Sequence, residues 1–455
     1  MAKKFDLNDE VVVIIGSGAG GGTLGNELAQ KGIDVVILEA GKRHEISDFE
    51  NDEWPMFSKI SWLDKRTTSG TWRVSQDFPN LPAWIVKAVG GSTVHWAGAS
   101  LRFQEHEFKT RTTYGKVSGA NLLDWPITLG FCYQGCKSGA KWSTLYTEIP
   151  KGERTGHLEV RSDAQALKIE HDASGKVTGV MYGDSSGNRY FQKARVVCVA
   201  GNSIESPRLL LNSASTMFPN GLANSSGQVG KNYMRHMTAS VYAIYERPVH
   251  MFRGTTMAGI IKDESRFDPK RGFVGGYEME TLSLGVPFLA AFLNPGDWGR
   301  DFSNAMDAYD NMAGMWLVGE DMPQESNGIT LHATEKDQFG LPIPNVQFSD
   351  HPNDNAMRQH GFKQAKALYE SVGAKRVIFT PPYPSTHNLG TNRMSAKAKD
   401  GVVNKWGQAH DIKNLFVSDG SQFTTGASEN PTLTIVALAI RQADYIAKSM
   451  ARKEL

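Results

Sequence analysis

The sequence predicts an α/β architecture, α+β overall, on three observations. A strand, a glycine turn, a helix and a second strand open the 455-residue chain in order. From Met237 to about Thr380 the pattern changes to short strands between turns, the mark of an antiparallel sheet. A late strand, turn and helix, Leu415 to Lys448, returns to the α/β pattern.

The opening unit explains itself residue by residue. Val11-Val-Val-Ile-Ile15 is a continuous β-branched run, expected for a buried parallel strand. It enters Gly16-Ser17-Gly18-Ala-Gly-Gly21, which has the G-x-G-x-x-G spacing. A helix is expected over 19–31, stopped by Gly32, and Asp34 to Leu38 reads as the second strand, ended by Glu39. Gly16 permits the tight turn, Gly18 lets backbone approach a pyrophosphate, and Gly21 allows close helix–strand packing. The helix N-terminus offers unpaired N–H groups to phosphate, and Glu39 can accept from ribose hydroxyls. The unit is a Rossmann-type dinucleotide site, and by itself it does not separate NAD from FAD. The acid at the strand end argues against a 2′-phosphorylated cofactor.

Composition excludes several classes. The net charge of +1, without a block of like charge, gives no nucleic-acid footprint. No apolar run reaches the roughly eighteen residues of a transmembrane segment. The start carries no apolar signal core, so no export signal of its own is visible. Cys198 lies in an apolar run and reads as a buried small hydrophobe. Cys132 and Cys136 are too few for an iron–sulfur cluster and lack partners for zinc, so both are expected to be structural.

Further segments carry a resemblance. They are Ala88-Val-Gly-Gly91-Ser92-Thr-Val-His95-Trp96, Val196 to Leu211, and Gly227-Gln-Val-Gly-Lys-Asn-Tyr-Met-Arg-His236. Ser385-Thr-His387-Asn-Leu-Gly390 follows, then Asn414 to Gly420 and Ser428-Glu-Asn430-Pro431-Thr. In this order they resemble the glucose–methanol–choline (GMC) oxidoreductases, and within them pyranose 2-oxidase and bacterial sugar and polyol dehydrogenase flavoprotein subunits. The resemblance implies FAD, and contacts to it at Gly91, Ser92, Asp419, Gly420 and Pro431 beside the early turn. It implies that His387 is the base and that Asn430 holds the substrate oxygen. An amide cannot titrate, so proton transfer falls to the imidazole, whose ordinary pKa suits it. Asp419 has a second reading, a cap near a helix. His95 stands where some relatives carry a covalent bond to the flavin; others bind FAD non-covalently there, with the histidine packed against tryptophan.

One departure from the family pattern stands out. After Thr128 the chain passes almost at once to Gly130, where family members continue for many tens of residues. The join reads as a deletion, natural or engineered, in the segment that covers flavin and pocket.

The expected organisation is an FAD-binding domain from 1–236 and 381–455 around a substrate-binding domain from 237–380. The expected reaction is FAD-dependent oxidation of an alcohol, first of a sugar or polyol. A dehydrogenase passing electrons to a quinone or haem partner is favoured over an oxidase using oxygen. The location expected is cytoplasmic, or periplasmic if a partner subunit supplies export. The rival is a flavin-binding protein that has lost turnover with its pocket cover; a nicotinamide enzyme is a third reading.

Overall fold

The computed structural model describes residues 4–50, 52–53, 85–101, 141–253, 256–293, 298–382 and 385–455. The deletion after Thr128 and the pair Cys132 and Cys136 lie outside the described residues.

The first strand forms where its β-branched run predicts, as Val12–Ile15, at the centre of a five-stranded parallel sheet. Val35–Leu38 and then Leu158–Arg161 lie on one side of it, Val196–Val199 and then Leu415–Val417 on the other. Strands buried on both faces need a cover on each. On one face Leu24 and Leu28 of helix Ala19–Gln30 and Ala439, Ala443 and Ile446 of helix Thr432–Ala451 meet Ile14, Ile37 and Phe416. On the other face Val13, Val36, Val199 and Val417 meet Ile169, Val180 and Tyr182. Those three come from the antiparallel strands Gln165–His171 and Val177–Gly183, which with Arg189–Lys193 make a meander. Cys198 is fully buried and free, as its apolar run predicts. The first helix ends one residue earlier than expected, before Gly32 at φ +76°.

The middle region forms the antiparallel sheet. Its order is Arg376–Phe379, Met237–Ile244, Met312–Gly319, Tyr277–Leu282 and Ile260–Ile261. Strand alternation divides it into two faces. Ala239, Val241, Leu317 and Tyr277 pack on helix Pro352–Ser371 through Met357, Ala365 and Tyr369. Tyr242, Trp316, Val318 and Leu282 point the other way, towards Val86, Val94 and Leu145 beside the parallel sheet.

The segments on either side of 320–327 form strands of different sheets. Met312–Gly319 is in the five-stranded antiparallel sheet, whereas Gly328–Lys336 pairs with Pro342–Gln347 in a two-stranded one. Among the described residues no helix is long and apolar enough to cross a membrane.

Candidate active site

The phosphate end of the site is built by close backbone packing. Gly16 has φ +99°, and a Cβ on it would lie 2.3 Å from the Ala200 carbonyl oxygen. Gly21 stands so close to the turn that a Cβ would meet Gly16 O at 2.0 Å. Gly18 differs: a Cβ there would find only Gly91 Cα, at 3.9 Å. The space beside Gly18 is therefore cleft. Helix Ala19–Gln30 begins there without a side-chain cap and without an acid in its first turn. Its first N–H groups are left for an anion.

Glu39 closes this end. Its carboxylate accepts from Ser17 N at 3.0 Å, Ser17 Oγ at 2.6 Å and Gly41 N at 3.0 Å. Burial pushes its pKa up, against those hydrogen bonds. Three bonds leave room on the carboxylate for one more donor, such as a ribose hydroxyl. The Ser17 hydroxyl in turn accepts from Gly90 N at 2.9 Å, which docks the turn carrying Gly91, Ser92 and His95 onto the first. Lys141 holds the far side of that turn, donating to Val94 O at 2.7 Å and Trp96 O at 3.0 Å. His95 is buried, and the Trp96 indole donates to Trp142 O at 2.9 Å.

Asp419 takes the capping place. Its carboxylate caps the turn Gly420–Gln422 by accepting from Ser421 N at 2.9 Å, and it also accepts from Asn202 N at 2.9 Å and from the Ser206 hydroxyl. Protein partners thus occupy the side chain, while Asp419 and Gly420 still line the cleft.

At the other end, His387 and Asn430 converge. Asn430 Nδ2 stands 3.4 Å from His387 Nε2. The Asn430 Oδ1 is a buried acceptor that meets no donor among the described residues. Lys262 anchors the neighbouring Glu429 to the antiparallel sheet, with Nζ 2.7 Å from Glu429 and 2.8 Å from Glu278. Desolvation, then the neighbouring His236, pushes the His387 pKa well below 6.5, so the imidazole is neutral at ordinary pH. Burial drives Glu280, beside Asn430, up to about 8 although the Asn430 amide opposes the shift, so this acid holds its proton near neutrality.

One continuous cleft joins the two ends. Of the residues expected from the sequence, Gly16, Ser17, Gly18, Glu39, Gly91, Ser92, His95, His387, Asp419, Gly420, Asn430 and Pro431 all line it. Gly21 does not, and packs behind the turn as its expected role requires. The sequence pointed to the middle region as the substrate-binding domain but to none of its residues, and Tyr242 and Trp316 line the cleft from it. The Trp316 ring lies 5.5 Å from the imidazole, centre to centre. His236 was also without a role; its ring is 4.8 Å from that of His387.

Models of the GMC oxidoreductase domains match residues 6–238 and 323–439. The chain belongs to the GMC oxidoreductase family. It is 30% identical to 2-methyl-1,2-propanediol dehydrogenase of Mycolicibacterium austroafricanum, over 98% of this chain and 96% of the relative. It is 27% identical to the fructose dehydrogenase large subunit of Gluconobacter japonicus, over 96% and 97%. The alignment with the first runs over 546 positions, so that relative has stretches without counterpart in the 455 residues here. A formate oxidase from Aspergillus oryzae shares the fold at a TM-score of 0.70 and 15% identity, over 99% of both chains. Pyridoxine 4-oxidase from Mesorbium loti does so at 0.68 and 12%, over 96% and 99%. The cofactor of this GMC enzyme is FAD, and the open space at Gly18, the uncapped helix and the spare acceptor of Glu39 fit its dinucleotide. Loss of turnover, the rival reading, finds no support.

Proposed function

We propose that the chain oxidises a carbon bearing a hydroxyl group, first of a sugar or polyol, with His387 as general base and Asn430 as the amide that holds the substrate oxygen. The observation that carries the reading is the 3.4 Å approach of Asn430 Nδ2 to His387 Nε2 on the wall of the cleft that begins at the phosphate turn. FAD, when bound, supplies the acceptor for the hydride leaving the substrate carbon. His387 takes the hydroxyl proton on Nε2, and its low pKa keeps that nitrogen unprotonated beforehand. Asn430 offers an N–H and a carbonyl to the same oxygen and cannot compete for the proton. Trp316 and Tyr242 wall the reacting carbon from water.

The test is anaerobic mixing of the yellow protein with a panel of sugars, polyols and simple alcohols. At least one substrate should bleach the flavin, and His387→Ala should slow that bleaching by about 10²–10⁴-fold. Bleaching at an undiminished rate in the variant removes His387 from the chemistry. A colourless protein that responds to added NAD would instead mark a nicotinamide enzyme.

The acceptor is proposed to be a quinone or haem partner, making the enzyme a dehydrogenase. The relative described as a large subunit supports a partner. Reduced enzyme should then reoxidise faster with a quinone or dye than with air. The expected location is the cytoplasm, or the periplasm when exported with such a partner; fractionation of cells decides it. Covalent attachment of FAD through His95 is read by acid precipitation, in which a yellow pellet means a bond and a yellow supernatant means none.

A further inference from the structure

His387 does not stand alone behind the cleft. His236 Nε2 lies 2.8 Å from the carbonyl oxygen of Gly426, and His236 Nδ1 lies 3.0 Å from His387 Nδ1. A carbonyl only accepts, so the proton of His236 is on Nε2. Burial drives the His236 pKa down to about 4, and the ring is neutral. Its Nδ1 then carries a lone pair. The facing Nδ1 of His387 must be the donor, because two lone pairs at that distance repel. With a neutral ring, this leaves His387 Nε2 bare, and that is the atom beside Asn430.

We infer that His236 is a positioning residue which, anchored on the Gly426 carbonyl, holds His387 in the Nδ1–H tautomer with Nε2 presented to the substrate hydroxyl. This rests on the reading of His387 as the base.

Three features of the surroundings hold His236 to that task. Its backbone is left-handed, at φ +64°, a conformation that a residue other than glycine seldom adopts and that strained functional positions keep. Asp321 fixes that turn, since its buried carboxylate accepts from the backbone N–H of Arg235, at 2.8 Å, and of His236. Gly426 has no room for a side chain, because a Cβ would lie 2.9 Å from His236 Cδ2 and 2.9 Å from Asp321 Oδ1. The chain of contacts ends in a carbonyl that cannot take a proton. His236 therefore orients and does not relay, and the proton collected on His387 Nε2 leaves through the cleft.

The experiment is heteronuclear NMR on holoenzyme labelled in its imidazole nitrogens, assigned with His387→Ala, alongside anaerobic flavin reduction. The expected wild-type spectrum shows His387 neutral with its proton on Nδ1. His236→Ala should lose that single tautomer and slow flavin reduction by about 10–100-fold, the scale seen where an outer-shell partner fixes the tautomer of a metal-bound histidine. KM should change little. His236→Asn tolerates the left-handed backbone and keeps an acceptor near the Nδ1 position, and should restore most of the rate. Two results overturn the inference: a wild-type His387 protonated on Nε2, or equal defects in the Ala and Asn variants at equal flavin content. Should His236→Ala fail to fold, the wild-type spectrum decides alone. The proposed function fails separately, if His387→Ala still bleaches at full rate.

Discussion

Two glycines of one turn are expected to fail in opposite ways. Gly16→Ala puts a side chain at φ +99° and 2.3 Å from a backbone carbonyl that cannot swing aside. The left-handed backbone costs about 1–2 kcal/mol and the overpacking a further 1–3 kcal/mol or so. The penalty falls on the protein itself, and calorimetry of flavin-depleted protein should show a clearly lowered Tm. Gly18→Ala sits at an ordinary φ of −66°, with its nearest neighbour Gly91 Cα at 3.9 Å. Its cost to the fold is about 1 kcal/mol or less, that of a poorer helix cap. The methyl would instead stand where the phosphates approach. Losing one hydrogen bond to a charged group, at about 1.5–3 kcal/mol, weakens FAD by roughly 10–100-fold. Flavin content of the purified variants and fluorescence titration read that loss. The reasoning is refuted if Gly18→Ala keeps wild-type flavin affinity, or if it lowers the Tm of flavin-depleted protein as much as Gly16→Ala does.

Two further expectations concern protons. The folded pKa of His387 is below its ordinary 6.5, so the proposed base stays unprotonated as pH falls through that value. The acid limb of kcat/KM should therefore lie below pH 6.5, and a limb at or above it contradicts the assigned environment. Glu280 has the opposite sign, raised from 4.5 to about 8 by burial. Its contribution to stability is complete below its unfolded pKa and is lost as pH rises through the folded one, amounting to about 3 kcal/mol by pH 7. Glu280→Gln should gain in Tm over wild type as pH increases across that window. A difference that does not change with pH shows that the acid is ionised in the fold.

Contiguous patterns were legible in the sequence because their physics is local. The run of β-branched residues, the three glycines, the helix and Glu39 all act within about thirty residues, and the structure places them as read. Membership of the family was legible from ordered segments, and His387 and Asn430 came with it. The wall of the cleft was not legible. Trp316 and Leu317 are neighbours in an apolar strand, and only the pairing of Met312–Gly319 with Met237–Ile244 sends Trp316 to the cleft and Leu317 to the helix face. His236 lay inside a segment already noticed, yet its partner is 151 residues away. The sequence alone thus determined which chemistry is on hand: a dinucleotide turn, an imidazole and an amide. The tertiary structure decided which nitrogen of that imidazole lies beside Asn430 and which meets His236, because a tautomer is set by hydrogen-bond partners that meet only when the chain has folded.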